Sequence, residues 1–223
     1  MKIIDRKVYC FWTGRNPLSQ NRLDGLESMR KNIGVPIEFL DWHGWYRMIL
    51  PNAPLHHGFQ YLSCVHKADY LRCYFMHHFG GGYADIKHYT TQNNWGQCFS
   101  ILNTFPKIEV IGQPEIMDGS PIKDFNHTHI IPKLISNGFF ICRDHTDFTT
   151  AWYNRLMERM DYYLPHLREH PATMPYGGDG YPVPWAALLG EIVHLTVMEE
   201  RDKNPEAVCS ALQTGWDNTK DYR

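Results

Sequence analysis

The first 41 residues alternate between two short apolar runs and one amphipathic segment, and this order constrains the fold more than any other feature. The run KVYCFWTG (7–14) is apolar and closes on Thr-Gly, which predicts a buried first strand. In segment 16–34, leucine and methionine recur near helical spacing and Gly34 supplies a C-cap, so a helix is predicted. The run VPIEFLD (35–41) predicts a second strand. Strand, helix and strand in this order are typical of a parallel βαβ unit.

The alternation of strands and helices continues along the chain. The clearest helix is predicted over 63–81, where an apolar stripe that includes Leu71 and Phe75 stops at Gly80. Further strands are predicted at 82–90, 107–116 and 134–144, further helices at 147–167 and 186–201, and irregular segments at 42–60, 173–185 and 215–223. These elements predict an α/β fold with a mostly parallel central sheet flanked by helices, in one domain spanning residues 1–223.

Composition narrows the class of protein. The formal net charge is −2 without a long run of one sign, which argues against a general nucleic-acid binder. The six cysteines form no CxxC pair and several lie in apolar runs, so buried free thiols are predicted in preference to disulfides. No window approaches about 18 uninterrupted apolar residues, and the N-terminus is too charged for a secretory signal. We therefore expect a protein without a transmembrane segment, cytoplasmic (in the host cytoplasm if viral) or one domain of a longer chain.

Polar residues at predicted strand ends mark the place where open α/β sheets bind ligands. These residues are Thr13, Asp41 and Asp85. Asp85 follows three glycines and Tyr83, and a carboxylate there is a hard oxygen ligand suited to Mg²⁺ or Mn²⁺ on a diphosphate. The alternative is a glycine turn that Asp85 caps.

Asp69 and Arg72 stand at i and i+3 on the predicted helix that precedes the glycine run. An isolated pair of this kind is usually a solvated surface ion pair. Its position one helix before Asp85 instead favours a pair that reaches over the same strand ends.

Three segments together carry a family resemblance: FWTG (11–14), HKADYLRCY (66–74) and FGGGYADIK (79–87). The combination resembles the DXD-containing sugar transferases of the GT-A fold. The closest group includes yeast initiating α-mannosyltransferases, bacterial capsular-polysaccharide transferases and small glycosyltransferase domains of large algal viruses. The segment SNGFFICRDHTDF (136–148) is a further match. The resemblance covers residues 7–145 well and the remainder loosely.

The resemblance implies a GT-A fold and a metal-dependent, retaining glycosyltransferase. Such an enzyme moves a sugar from a nucleotide-sugar, with UDP favoured by family habit, to a hydroxyl of a glycan acceptor, with Mn²⁺ or Mg²⁺ as cofactor. Residues 1–90 would form the nucleotide-sugar-binding half and residues 91–223 the acceptor side. The irregular segment 173–185 would contact the acceptor through the flat faces of Tyr176, Tyr181 and Trp185.

The resemblance also assigns roles to individual residues. Asp85 would bind the metal, and Asp69 and Arg72 would contact the donor sugar or its diphosphate. Residues expected to bind the nucleotide-sugar are Phe11, Trp12, Thr13, Asp41, Asp69, Arg72, Tyr83, Asp85 and Lys87, and those expected at the catalytic centre are Asp69, Arg72, Asn137 and Asp179.

Lys87 is the departure from the family pattern, which has aspartate there. We interpret the site as a one-carboxylate metal site completed by phosphate oxygens and water, with Asp179 or His194 as a further candidate ligand. Each of these has a plainer reading, Asp179 as a turn residue and His194 as a satisfied helix histidine. A lysine beside a diphosphate would itself supply positive charge to the leaving group. The alternative is that Lys87 points into solvent or into an ion pair.

Two other functions fit parts of the sequence. A non-catalytic nucleotide-sugar or glycan binding module with a decayed DXD site would also explain Lys87. Zinc hydrolysis is suggested by 13 histidines, but His127 and His129 would share one strand face and lack a third ligand. We therefore do not favour zinc.

Overall fold

A six-stranded sheet organises residues 2–115 and 134–217, which are the residues that the computed structural model describes. The strands are β1 (Val8–Phe11), β2 (Ile37–Leu40), β3 (Gly81–Ala84), β4 (His88–Tyr89), β5 (Val110–Pro114), β6 (Ile135–Cys142), β7 (Val208–Cys209) and β8 (Trp216–Asp217). The central sheet has the order β2-β1-β3-β6-β5-β7, and β4 pairs with β8 in a separate ribbon. In the central sheet only β6 runs antiparallel to its neighbours, so the predicted mostly parallel sheet is confirmed.

Helices cover both faces of this sheet. They are α1 (Gln20–Asn32), α2 (Trp42–Arg47), α3 (Cys64–His78), α4 (Trp95–Thr104), α5 (Asp147–Glu169) and α6 (Gly190–Lys203), with a 3-10 turn at His57–Tyr61. Alternate residues of β1 point to opposite faces, as the pleat requires. Tyr9 packs in a core with α3, α5 and α6, whereas Val8 packs in a second core with α1 and α4.

The opening βαβ unit forms as the sequence predicts. β1 and β2 pair in parallel, from Val8 opposite Ile37 to Phe11 opposite Leu40. The side chain of Ser19 caps the first turn of α1 by accepting from the Arg22 amide. This unit places the carboxyl ends of β1 and β2 side by side. The carboxyl end of β3, which pairs in parallel with β1, lies next to them.

The glycine run after α3 serves the fold itself. Gly80 and Gly81 have φ values of 68° and 97°, a region that favours glycine, and they turn the chain from α3 into β3. At Gly82 a β-carbon would lie 2.9 Å from Val8 Cγ2 and 3.2 Å from the Trp95 ring. The run therefore lets β3 lie close to its neighbours and places Asp85 directly after the strand.

Several local predictions are corrected by the structure. The predicted strand over 82–90 is two strands, because β4 leaves the central sheet after Ala84 and pairs with β8. The tail segment, predicted to lack an element, therefore contributes a strand. Helix α4 was not predicted, and the segment 42–60, predicted to be irregular, contains α2 and all but the last residue of the 3-10 turn.

All six cysteines are free; four are buried, and Cys64 and Cys209 are half-buried. Among the helices of the described ranges, none has both the length and the apolar character needed to cross a bilayer.

Candidate functional site

Arg72 is the residue around which the predicted site assembles. Its side chain, on α3, is 13% exposed. Nη1 donates to the carbonyl oxygen of Asn137 at 2.8 Å. Nη2 lies 3.1 Å from Asp85 Oδ1 and 3.6 Å from Asp69 Oδ1. One guanidinium thus joins α3, the end of β3 and β6, and brings together four residues that the sequence assigned to one site.

Asp85 is held in place by its backbone and by its neighbours. Its amide donates to the Gly138 carbonyl at 3.1 Å, and the Tyr83 hydroxyl donates to Oδ1 at 2.9 Å. A β-carbon on Gly138 would lie 3.1 Å from Asp85 Oδ2, so glycine there leaves room for the carboxylate. Burial alone would raise the pKa of Asp85, but Arg72, Lys87 and the Tyr83 hydrogen bond outweigh it and hold the pKa below its usual value. Asp85 is therefore ionised at neutral pH.

The pKa of Asp69 is raised, whereas that of Asp85 is lowered. Its side chain is 6% exposed, and burial raises the pKa of its carboxyl to about 7. Arg72 opposes this rise and the nearby charge of Asp85 adds to it. A carboxyl that titrates near neutrality can donate or accept a hydrogen bond at a ligand oxygen, a property common at functional sites.

Lys87 points into the site. Its Nζ lies 3.6 Å from Asp85 Oδ2, and the side chain is 21% exposed. The same ammonium lies 3.9 Å from the ring centroid of Trp216 and 5.2 Å from that of Phe139. From the sequence, Lys87 was expected either beside a diphosphate or in solvent or an ion pair. In the structure, Lys87 forms an ion pair with Asp85, which is the predicted metal ligand. Sequence reasoning missed Trp216, which β8 brings here from the far end of the chain.

Two buried polar atoms of this cluster have no hydrogen-bond partner among the described residues. They are the donor Arg72 Nε and the acceptor Asn137 Oδ1. Buried polar groups are normally paired, and an unmade hydrogen bond costs about 1–3 kcal/mol. Both atoms could be satisfied by a ligand that carries hydroxyl and anionic oxygens.

The metal predicted at Asp85 meets an unfavourable ionic environment. Arg72 and Lys87 each face one oxygen of this carboxylate. No group of three His, Cys, Asp or Glu side chains able to hold a metal occurs in residues 2–115 and 134–217. This donor set does not fit a divalent ion held by the protein, since a metal ligated by Asp85 would be repelled by both cations. The metal at Asp85 is a prediction of the resemblance alone, and the side chains around this carboxylate do not favour it.

Asp179 and His194 were the other candidate metal ligands, and the structure describes both. Asp179 is exposed in a turn between Gly178 and Gly180. His194 is fully buried on α6, with Nε2 3.6 Å from Glu115 Oε2. His127 and His129 lie outside the described residues.

An open cavity of about 530 Å³ lies beside the ends of β1 and β2. Thr13 follows β1 at its wall, and α2 contributes Trp42. Two cations also line it: Arg15 lies 5.8 Å from the Trp42 ring and Lys67 Nζ lies 5.9 Å from the Phe59 ring. Aromatic faces and cations suit a base and phosphates, respectively. Thr13 was predicted to bind the nucleotide, and it lines this cavity. Sequence reasoning missed the other lining residues, for which the signal was the aromatic richness of segment 42–60.

Three other residues predicted for the nucleotide pocket, Phe11, Trp12 and Asp41, make contacts within the fold. Phe11 is 6% exposed and packs against Phe75 in the core, with ring centroids 4.8 Å apart. Trp12 Nε1 donates to the Asn16 carbonyl. Asp41 is exposed and caps α2 by accepting from the Gly44 amide.

The predicted acceptor loop packs on the first turn of α3. The Tyr181 hydroxyl lies 2.9 Å from His66 Nδ1, which makes Tyr181 an anchor of the loop. The rings of Tyr176 and Trp185 stack at 6.2 Å and are 61% and 63% exposed. Of the three aromatic residues predicted to contact the acceptor, Tyr176 and Trp185 have exposed rings, whereas Tyr181 is half-buried.

Comparison with known proteins finds no family model that matches this chain and no match among curated proteins.

Proposed function

We propose that this protein is a retaining glycosyltransferase of GT-A fold that moves a sugar from a nucleotide-sugar, with a UDP-sugar favoured, to a glycan hydroxyl. The observation that carries the proposal is the set of contacts made by Arg72, which meets Asp69, Asp85 and Asn137. These residues come from three separate elements, and the sequence resemblance implies that Asp69 contacts the donor, that Asp85 binds the metal and that Asn137 lies near the reacting centre. A surface ion pair would not require that convergence.

The arrangement suits an elongated anionic ligand. Lys67 lines the cavity and Arg72 lies in the cluster, and helix α3 carries both residues. In the proposed complex, the base packs against the aromatic wall of the cavity and the diphosphate extends toward Arg72. The unpartnered Arg72 Nε would then donate to a phosphate or sugar oxygen, and Asn137 Oδ1 would accept a hydrogen bond from a sugar hydroxyl.

In the proposed reaction, the bond from the anomeric carbon to the diphosphate oxygen breaks and its electron pair leaves with the diphosphate. Arg72 and Lys87 stabilise the charge that develops there. The acceptor hydroxyl attacks from the same face, forms the new glycosidic bond and transfers its proton to the departing diphosphate. Asp69 holds a donor-sugar hydroxyl, and the Tyr176–Trp185 pair stacks on the acceptor. The requirement for Mn²⁺ or Mg²⁺ stays a prediction of the family resemblance.

The direct test is donor hydrolysis. The protein is incubated with a panel of UDP-sugars, with and without Mn²⁺, and free UDP is measured. Release that depends on Arg72 would support the proposal, with a thermal-shift screen of other nucleoside diphosphates as the guide to the base.

A second candidate, a non-catalytic nucleotide-sugar binding module, is favoured by one observation. Lys87 stands where the related enzymes have a carboxylate, and it neutralises the remaining one. Tight UDP binding without release of UDP from any donor would favour this candidate over the transferase.

A further inference from the structure

We infer that Lys87 and Arg72 together supply the positive charge that holds the donor diphosphate, so that nucleotide binding by this protein requires no divalent metal. The inference rests on the proposed function and concerns the cofactor of the same site.

The charge balance of the cluster is the first support. Exchanging a carboxylate for an ammonium changes the local charge from −1 to +1, which is a gain of two positive charges. This is the charge that one divalent cation brings to a pair of carboxylates. A site with two carboxylates would gain two positive charges by binding one divalent cation. With Lys87 in place of the second carboxylate, this site has the same net charge without a metal.

The position of the ammonium is the second support. Lys87 Nζ is held among Asp85 and the rings of Phe139 and Trp216 rather than extended into solvent. Its 3.6 Å distance from Asp85 Oδ2 is longer than an ordinary hydrogen bond, and no described residue accepts a hydrogen bond from it. The ammonium is thus oriented by charge and aromatic contacts while its N–H groups are left for a ligand.

The state of Asp85 is the third support. Oδ1 takes the Tyr83 hydroxyl and faces Arg72, and Oδ2 faces Lys87. A carboxylate that is already neutralised on both oxygens is a poor metal ligand. In this arrangement Asp85 positions two cations, and the cations contact the phosphates.

The test measures UDP binding by isothermal titration calorimetry in metal-free buffer with EDTA and in saturating Mn²⁺. We expect the wild-type dissociation constants in the two buffers to agree within about twofold. Lys87→Met keeps the apolar stem and removes the charge, and should weaken binding in EDTA by about tenfold or more. Lys107→Met is the matched control, because Lys107 is an exposed lysine paired with Glu206. It should bind UDP like the wild type.

A third variant, Lys87→Asp, restores a carboxylate pair one residue apart. It should bind UDP weakly in EDTA and regain affinity when Mn²⁺ is added, whereas the wild type should not respond to Mn²⁺. Wild-type binding that appears only with Mn²⁺ would overturn the inference and leave the proposed function standing. Absence of binding to UDP and to every other nucleoside diphosphate in both buffers would instead remove the proposed function.

Discussion

Arg72 Nη2 lies 3.1 Å from Asp85 Oδ1, and this ion pair joins the middle of α3 to the end of β3. The same guanidinium lies over the ring of Tyr83, 4.4 Å from its centroid. Tyr83 in turn donates its hydroxyl to Asp85. The three side chains therefore form a closed set in which each one orients the other two.

Replacement of Arg72 by glutamine should abolish donor hydrolysis and destabilise the protein. The variant leaves Asp85 and Asp69 without their guanidinium, and breaking a buried ion pair costs about 3–5 kcal/mol of unfolding free energy. UDP release and urea unfolding measure the two effects. Arg72→Lys is the control: it retains the charge but loses the fork that reaches Asn137 and Asp85 together, so it should recover stability more than activity. Equal activity of Arg72→Gln and wild type would contradict the assignment.

The pH dependence of stability should change in Asp69→Asn. The folded pKa of Asp69, about 7, lies above its ordinary value of 3.8, so the native state binds this proton more tightly than the unfolded chain does. This contribution to stability is fully present below about pH 4 and is lost as the pH rises through 7. The free energy of unfolding of the wild type, relative to Asp69→Asn, should therefore fall by on the order of a few kcal/mol between pH 4 and 8. Urea titrations across that range measure it, and a constant difference would contradict the raised pKa.

Gly138→Ala should impair binding more than it impairs folding. The added β-carbon would lie 3.1 Å from Asp85 Oδ2 and would push this carboxylate from its place between Arg72 and Lys87. We expect about tenfold weaker UDP binding by calorimetry, which corresponds to about 1.4 kcal/mol.

Gly96→Ala is the matched control for Gly138→Ala. Gly96 lies in α4, where an added β-carbon meets nothing within 4 Å. This variant should gain roughly 0.5–1 kcal/mol of stability and bind UDP like the wild type. Weaker binding by both variants would show that the effect at Gly138 is not local.

Trp185→Ala and Tyr176→Ala should act on the acceptor alone. Both rings are more than half exposed, so their removal should change the unfolding free energy by less than about 0.5 kcal/mol. Donor hydrolysis should be unchanged, while the KM for a glycan acceptor rises. In contrast, Tyr181→Phe removes a hydroxyl that contacts His66 and the Ser63 amide, and should destabilise the loop. Slower donor hydrolysis in Trp185→Ala would mean that this pair acts on the donor side.

Much of the site could be predicted because its motifs are local. The three-residue spacing of Asp69 and Arg72 and the turn before Asp85 follow from helix and glycine geometry, and both occur as predicted. The surroundings of Lys87 could not be predicted in this way. Trp216 reaches it only because β8 pairs with β4, and strands of two residues leave almost no periodic signal in a sequence.

By itself, the sequence determined the opening βαβ unit, the long buried helix α3 and the presence of a strand just before Asp85 and of a strand that contains Asn137. These depend on the spacing of apolar residues and on glycine stops, which act over a few neighbouring positions. Only the tertiary structure decided that β6 runs antiparallel to its neighbours and that residues of segment 42–60 line a cavity. It also decided that the Lys87 side chain lies beside Asp85. Charge states and cation positions depend on residues far apart in the chain, because burial and Coulomb interactions are set by distance in space.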